Sequence, residues 1–348
     1  MAGLNQIRES RPGGDHGGHA ARTLPGKDLP FFRVLLHGLV YFCRKFPGVL
    51  AAPGWEFRHF DPNRFSELLP AAAYLYKCDL AYSWGGRLTL GKFLSVARVL
   101  RKKKLIFFWC GSDTLLARKD YDASRVDPWI AEKIHWAGAP WLAEEVRAMG
   151  LACEYVPSTW VKPPDTLPPM PDKFAVLAHL SSASRVELYG IDHVFEVARR
   201  MPKVSFHVVG LLPGESLRAP DNVTVHGRVP ALDPFFCQTS VFWRPARHDG
   251  LSFAALEALA HGRHVLWSYP FPGAAVAKDA TSGYEEIQRL HESHQCGQLL
   301  VNRTGANYVA SRFTPAVIRD GILSRWRQVI ESQGRAPEVC YCDDRPTS

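Results

Sequence analysis

Two carboxylates, Asp249 and Glu257, stand with seven residues between them in the stretch Val241 to Ser268, VFWRPARHDGLSFAALEALAHGRHVLWS. The residue pattern reads strand, glycine-containing loop, helix, strand. A helix opening just after Asp249-Gly250 leaves unpaired backbone N–H groups in its first turn. With the positive end of the helix dipole these make an anion site. Gly250 lets the backbone come close to a ligand. Asp249, at the mouth, is placed to accept hydrogen bonds from sugar hydroxyls. Glu257 lies about two helical turns further on, inside the apolar run AALEALA, where a charge is costly unless it has a partner. Two carboxylates bracketing a helix start suit a ligand with a sugar, a diphosphate and a ribose. Each also has an ordinary reading: Asp249 as a helix cap and Glu257 as a solvated face residue.

The elements around this stretch predict an α/β chain. Arg33–Leu36, Trp55–Phe60, Asp79–Tyr82, Leu105–Trp109 and Cys153–Val156 read as strands, with helical stretches at Leu90–Leu100 and Trp141–Met149. Apolar runs alternating with helical patterns signal βαβ units and a parallel sheet. Pro163, Pro164, Pro168, Pro169 and Pro171 then mark a stiff linker. Beyond it the alternation restarts. Strands are expected at Phe174–Leu180, Val204–Val209, Val223–Val225, Val241–Trp243 and His264–Trp267. Helices are expected at Ile191–Arg200, Leu232–Gln238, Leu251–Ala260, Tyr284–His291 and Thr314–Ser332, the last packing near the hinge. The expected organisation is a disordered arm (1–30), a first α/β domain (31–160), the linker (161–172), a second α/β domain (173–335) and a polar tail (336–348).

Composition narrows the partners. The chain has 348 residues, 46% hydrophobic and 22% charged, with a net charge of +8, as expected of a chain that buries sizeable cores. The basic balance favours anionic partners: nucleotide phosphates, nucleic acid or an acidic membrane face. Nucleic acid is disfavoured because no motif interleaves aromatic and basic residues. No stretch approaches the roughly 20 apolar residues of a membrane span, and the first thirty positions do not resemble a signal peptide. The expected location is the cytoplasm, with the run Arg101-Lys102-Lys103-Lys104 allowing peripheral contact with the acidic inner face of a membrane; a solvated helix end is the ordinary reading of that run. The eight cysteines contain no CxxC pair, so neither metal nor disulfide framework is expected. His291 and His294 have ligand spacing without a third ligand. Trp55, Trp84 and Trp109 could stack on sugars or fill cores. No Walker loop and no GxGxxG after the first strand are present, which argues against an NTPase or a dinucleotide enzyme.

The segment Asp249 to Val265, DGLSFAALEALAHGRHV, resembles the signature of the retaining glycosyltransferases group 1, of glycogen-synthase and sucrose-phosphate-synthase type: Glu, seven residues, Glu, in a context like E-G-F-G-L-x-x-x-E-A-M-A-x-G-x-P-V. The resemblance implies the GT-B fold, two Rossmann-like domains facing across a cleft. It implies transfer of a sugar from a nucleotide-diphosphate sugar to a carbohydrate, lipid-linked or small-molecule acceptor with retention. That transfer would need no metal and no cofactor, the nucleotide sugar being a substrate. It also implies that Asp249 and the Gly250-Leu251-Ser252 backbone meet the donor sugar and phosphates and that Glu257 meets the ribose. Asp221 to Val229, DNVTVHGRV, is similar to the family's strand and turn whose backbone, here near Arg228 and Val229, contacts the base. Ser184-Arg185 through Asp192 resembles the diphosphate loop, with Arg185 supplying the cation. His37-Gly38 falls where the fold places a loop facing the donor, Gly38 included. Trp109 to Asp113, WCGSD, resembles H-G-S-D, and Val156-Pro157-Ser158 resembles V-P-N. Three positions depart: Asp249 stands for the first Glu, Tyr189 for the phosphate-binding Lys, and Cys110 for the His of H-G-S-D. The departures motivate the alternative of a non-catalytic member that binds a nucleotide or a protein partner.

Overall fold

The computed structural model describes residues 31–37, 48–60, 65–100 and 104–332. The expected arm, Gly38, Arg101 to Lys103 and the expected tail lie outside them. Two parallel six-stranded sheets make up the molecule. The first is ordered β2-β1-β3-β4-β5-β6, from β1 (Phe32–His37), β2 (Trp55–Phe60), β3 (Leu80–Trp84), β4 (Leu105–Trp109), β5 (Ile134–Ala137) and β6 (Cys153–Tyr155). The second is ordered β12-β11-β10-β7-β8-β9, from β7 (Ala175–His179), β8 (Ser205–Val209), β9 (Val223–Val225), β10 (Val241–Arg244), β11 (His264–Trp267) and β12 (Ala274–Val276). Helices cover the sheets, so each half is a Rossmann-like α/β layer structure. Central strands buried on both faces need continuous apolar sequence, and β3, β4 and β10 are buried at every position.

One buried cluster runs from Val34 and Tyr82 of the first sheet through Trp141 and Leu251 to Trp267 of the second, so the two halves share apolar packing. Separate clusters fill the remaining faces, around Val176 and Trp243 in the second half and around Leu35 and Phe107 in the first.

The helix expected near the hinge does more than that. Helix Pro315–Glu331 returns to the first half, where Trp326 meets Trp55, Phe57 and Tyr82 at ring-centroid distances of 5.0–6.1 Å. Arg325 pairs with Glu154. The proline-rich segment is strapped to the second half by the fully buried Arg263, whose guanidinium donates to the carbonyls of Pro168 and Pro169. Among the described residues no helix is long and apolar enough to cross a membrane.

Candidate active site

In the second sheet β7 has β8 on one side and β10 on the other. Chain order reverses there, and in open α/β sheets ligands gather in the crevice outside the carboxyl ends at such a point. The loops leaving β7, β9 and β10 carry Ser184 and Arg185, Arg228 and Val229, and Asp249 to Ser252, so topology brings these expected residues to one edge. The first and last of these loops are knitted together. Arg247 donates its backbone N–H to the Leu188 carbonyl (2.9 Å) and its guanidinium to Asp192 (2.6 Å). Gly190 has φ +68°, and a Cβ there would overlap the Pro245 carbonyl; only glycine meets both demands.

Asp249 is not the helix cap. Ser252 is: its Oγ accepts from the Ala255 N–H (3.3 Å), and the helix runs Phe253–Ala260. The carboxylate of Asp249 turns inward instead. The buried Arg244, last residue of β10, donates to both of its oxygens, through Nε to Oδ2 and through Nη2 to Oδ1 at 2.7 Å. Trp267 adds its indole N–H to Oδ2 (3.3 Å). The Arg244 guanidinium also lies over the Tyr189 ring, 4.6 Å from its centroid. A cation therefore stands at position 189 although the side chain there is tyrosine. Burial works to raise the Tyr189 pKa, but the charge of Arg244 and hydrogen bonds from Ser181 and Arg244 outweigh it, and the net shift is downward.

The loop from Asp249 to Ser252 has its carbonyls occupied and its donors open. Trp141 of the first half donates its indole N–H to the Asp249 carbonyl (2.8 Å), and Thr159 donates to the Leu251 carbonyl (3.2 Å). The backbone N–H groups of Gly250, Leu251 and Ser252 have no acceptor among the described residues. Gly250 admits close approach, as expected, but of protein: a Cβ there would overlap the Cys110 carbonyl of the first half.

Glu257 is half-buried on the helix Phe253–Ala260, and its carboxylate has no hydrogen-bond partner among the described residues. Burial, aided by the charge of Asp233, pushes its pKa up to about 7. Asp233 opens the short helix Asp233–Gln238 and sits 3.2 Å from His261, so Glu257 faces the elements that follow the Arg228-Val229 turn. Arg185 and Ser184 are exposed in the turn Ala183–Arg185, and the Arg185 guanidinium makes no contact among the described residues. Glu215 ties that turn to the loop after β8, accepting from the Ser182 hydroxyl (2.7 Å) and the Ala183 N–H (2.9 Å). Arg228 is exposed and Val229 half-buried. His37, at the end of β1, stacks on Phe93 and contacts Ser83 (3.1 Å); burial, with Arg87 and His59, lowers its pKa to about 3.

Sequence reasoning missed two groups. The first is Arg244; an arginine ending the buried run Val241-Phe242-Trp243 needs a counter-charge, and that was the available signal. The second is a contact between the halves. Thr114 donates to Glu145 Oε2 (2.7 Å), and His248 Nε2 lies 3.0 Å from that same oxygen and 2.9 Å from the Thr114 hydroxyl. No local pattern marks residues so far apart in sequence.

Other candidates resolve into packing. Trp84 and Trp109 are buried and Trp55 packs on Trp326, so none is open to a sugar. His291 and His294 pack against Phe174, and His294 also contacts the Pro171 carbonyl (2.8 Å). Asp113 is half-buried, pinning its own loop by accepting from the backbone N–H groups of Gly86 and Gly111. Among the described residues no group of three or more His, Cys, Asp or Glu could hold a metal ion.

Residues 176–288 match the model of the family described as glycosyl transferases group 1. No curated protein matches the sequence. Among solved structures, sucrose-phosphate synthase from Thermosynechococcus elongatus is similar over 86% of this chain and 99% of its own, with TM-score 0.63 and 14% identity. A glycosyltransferase from Rickettsia africae aligns over 87% of this chain and 99% of its own (TM-score 0.62, 8% identity). Anabaena HepE, solved in complex with UDP-glucose, aligns over 85% of this chain and 100% of its own (TM-score 0.60, 13% identity). The fold is thus the GT-B arrangement of two Rossmann-like domains. The stretch that matches the group 1 family model, residues 176–288, lies within the second half.

Proposed function

We propose that this chain transfers a glycosyl group from a nucleotide-diphosphate sugar to an acceptor hydroxyl, with retention and without a metal, residues 31–160 serving the acceptor and 173–335 the donor. The observation that carries the reading is the unpartnered, half-buried Glu257 carboxylate on the helix that follows the open N–H groups of Gly250, Leu251 and Ser252. A ribose supplies the two hydroxyl donors that the carboxylate lacks, and a diphosphate supplies acceptors for the amides. Arg185 lends the mobile positive charge to the leaving diphosphate, with Ser184 beside it. The backbone at Arg228 and Val229 meets the base. Catalysis is then positioning plus electrostatic stabilisation of the departing diphosphate. Asp249 works on the donor through Arg244, holding the guanidinium over Tyr189. The likeness to HepE, whose structure holds UDP-glucose, supports this class of donor. Cytoplasmic location and peripheral membrane contact belong to the same proposal.

A second reading rests on the Arg244–Asp249 pair. With both carboxylate oxygens bonded, Asp249 has little left for a sugar, and a pair that never opens describes a nucleotide-binding protein without turnover. A thermal-shift panel of nucleoside diphosphates and their sugars, followed by donor hydrolysis, separates the two. Binding with turnover supports the transferase, and binding alone supports the second reading. If no nucleoside diphosphate raises the melting temperature, both fail.

A further inference from the structure

The outer surface of the first half carries a groove of about 620 Å³ between helices Leu68–Lys77 and Lys92–Val99. Its walls are apolar, and the side chains that form them stand in water: Leu69 is 83% exposed, Val99 80% and Tyr76 75%, with Val96 beside them. Beneath the groove the two helices already have their core, through Leu75, Leu94 and Ala97. The exposed set is therefore surplus to folding, and apolar surface gathered in this way marks an interaction site.

Charge identifies the occupant. Residues 65–104 contain eight Lys and Arg but only two acidic residues, Glu67 and Asp79, so this segment holds most of the chain's net charge. Asp79 is engaged by the Arg33 N–H. At the groove Lys77 lines the wall and Lys92 opens the second helix, both exposed, whereas Arg98 pairs with Asp127 and Lys104 donates to the Ile330 carbonyl. A second copy docking through the same face would set like charges against each other, because a two-fold interface pairs a patch with itself. A folded protein partner would call for hydrogen bonds across the contact, and the groove offers few; the Ser95 hydroxyl is already given to the Gly91 carbonyl. A bilayer asks only for apolar insertion and positive charge at the headgroups, with tyrosine at the boundary.

We propose that this groove, with Lys77 and Lys92 at its rim, docks the protein on a membrane containing anionic lipid, with Leu69, Tyr76 and Val99 entering the headgroup region. This gives the peripheral contact proposed above a defined surface, and it stands whether or not the donor reading does. Co-sedimentation of the full chain with vesicles tests it. Vesicles of phosphatidylcholine mixed with phosphatidylglycerol should carry the protein down and phosphatidylcholine alone should not, with binding weakening as salt is added. The double variant Leu69→Asp, Val99→Asp should lose at least about tenfold in vesicle affinity. Lys77→Glu with Lys92→Glu should weaken binding to anionic vesicles in the same direction. All four side chains are exposed, so melting temperatures should match the parent. No sedimentation with anionic vesicles overturns the proposal. So does undiminished binding by both variants, or concentration-dependent self-association that the Asp variants abolish in the absence of lipid.

Discussion

At the scale of single residues the two carboxylates are held in different ways, Glu257 without a partner among the described residues and Asp249 against Arg244. Glu257 is raised to about 7 from an ordinary 4.5. The native state therefore binds a proton that the unfolded chain has released, and stability falls as pH rises from about 4.5 to 7. The full cost of the ionised form is on the order of 3 kcal/mol at 1.36 kcal/mol per unit, an upper value for a half-exposed side chain. Glu257→Gln should thus melt higher than the parent at pH 8, with the gap closing near pH 4.5; melts at both pH values check this, and an equal gap would show that the carboxyl is not strained. The same variant should bind UDP and GDP more weakly by about 1.5–3 kcal/mol, the value of a charge-assisted bond, as read by calorimetry. Asp249 answers differently. As a helix cap, Asp249 could be replaced by Asn at little cost. With Arg244 buried against it, Asp249→Asn leaves a buried charge poorly paired and should cost about 3–5 kcal/mol. Arg244→Met with Asp249→Leu should recover much of that in a melt while turnover stays lost; failure of the pair to recover would remove the ion pair from the account. The spacing of Asp249 and Glu257 was legible in the sequence, but their partners were not. Arg244 is only five positions from Asp249, yet a linear string does not say which way a carboxylate turns.

At the scale of elements, the strands on either side of the candidate site were legible because buried parallel strands are written as unbroken apolar runs. Two were not. β5 carries His135, which is buried through Trp109 and the Ile130 carbonyl, so its four residues lack the apolar signature. β12 is a half-exposed edge of three. The helices Leu68–Lys77, Ser112–Asp122 and Arg303–Arg312 escaped notice as well, the last two because they are largely polar with few buried positions. Helix Ala280–Gln295 starts four residues before the expected Tyr284, fixed by a capping box between Asp279 and Ser282. The helix expected from Leu251 starts at Phe253, and its cap is Ser252 rather than Asp249, whose ordinary reading was a cap. Ser252→Ala should therefore lower stability by about 1 kcal/mol, measured by denaturant titration, and loosen nucleoside diphosphate binding as the amide donors lose their fixed geometry. An unchanged midpoint would mean that the cap is dispensable.

At the scale of the whole molecule, two Rossmann-like halves were legible from the restart of alternation after the prolines. Their mutual grip was not. Trp141, Thr159 and the Cys110 carbonyl hold the Asp249–Ser252 loop from the opposite half, and only a folded chain reveals contacts at such sequence separation. The return of the last helix was equally hidden, since its apolar positions fit either half. Trp326 is wholly buried there. Trp326→Ala should cost about 3–5 kcal/mol and shift the melt of the first half, followed by the near-ultraviolet signal of its tryptophans. A loss below about 1 kcal/mol would mean that the helix is a loose appendage.

The chain passes between the halves twice, once after β6 and once on the way into the last helix, and the two passages are stitched together where the Val161 N–H meets the Phe313 carbonyl at 2.8 Å. Downstream of the first passage the backbone is immobilised by Arg263 and by proline rings whose φ is fixed. A body joined to another along one such seam has a single easy degree of freedom: it swings about the seam, as a book does about its spine, while twisting and sliding are resisted. Thr159, two residues before Val161, carries the seam to the Leu251 carbonyl, and Trp141 and Cys110 hold the rest of the Asp249–Ser252 loop. To open, such a swing has to break the Trp141 and Thr159 hydrogen bonds, lift the Cys110 carbonyl from Gly250 and part the apolar core that the halves share, so the placing of the Gly250, Leu251 and Ser252 amides is tied to closure.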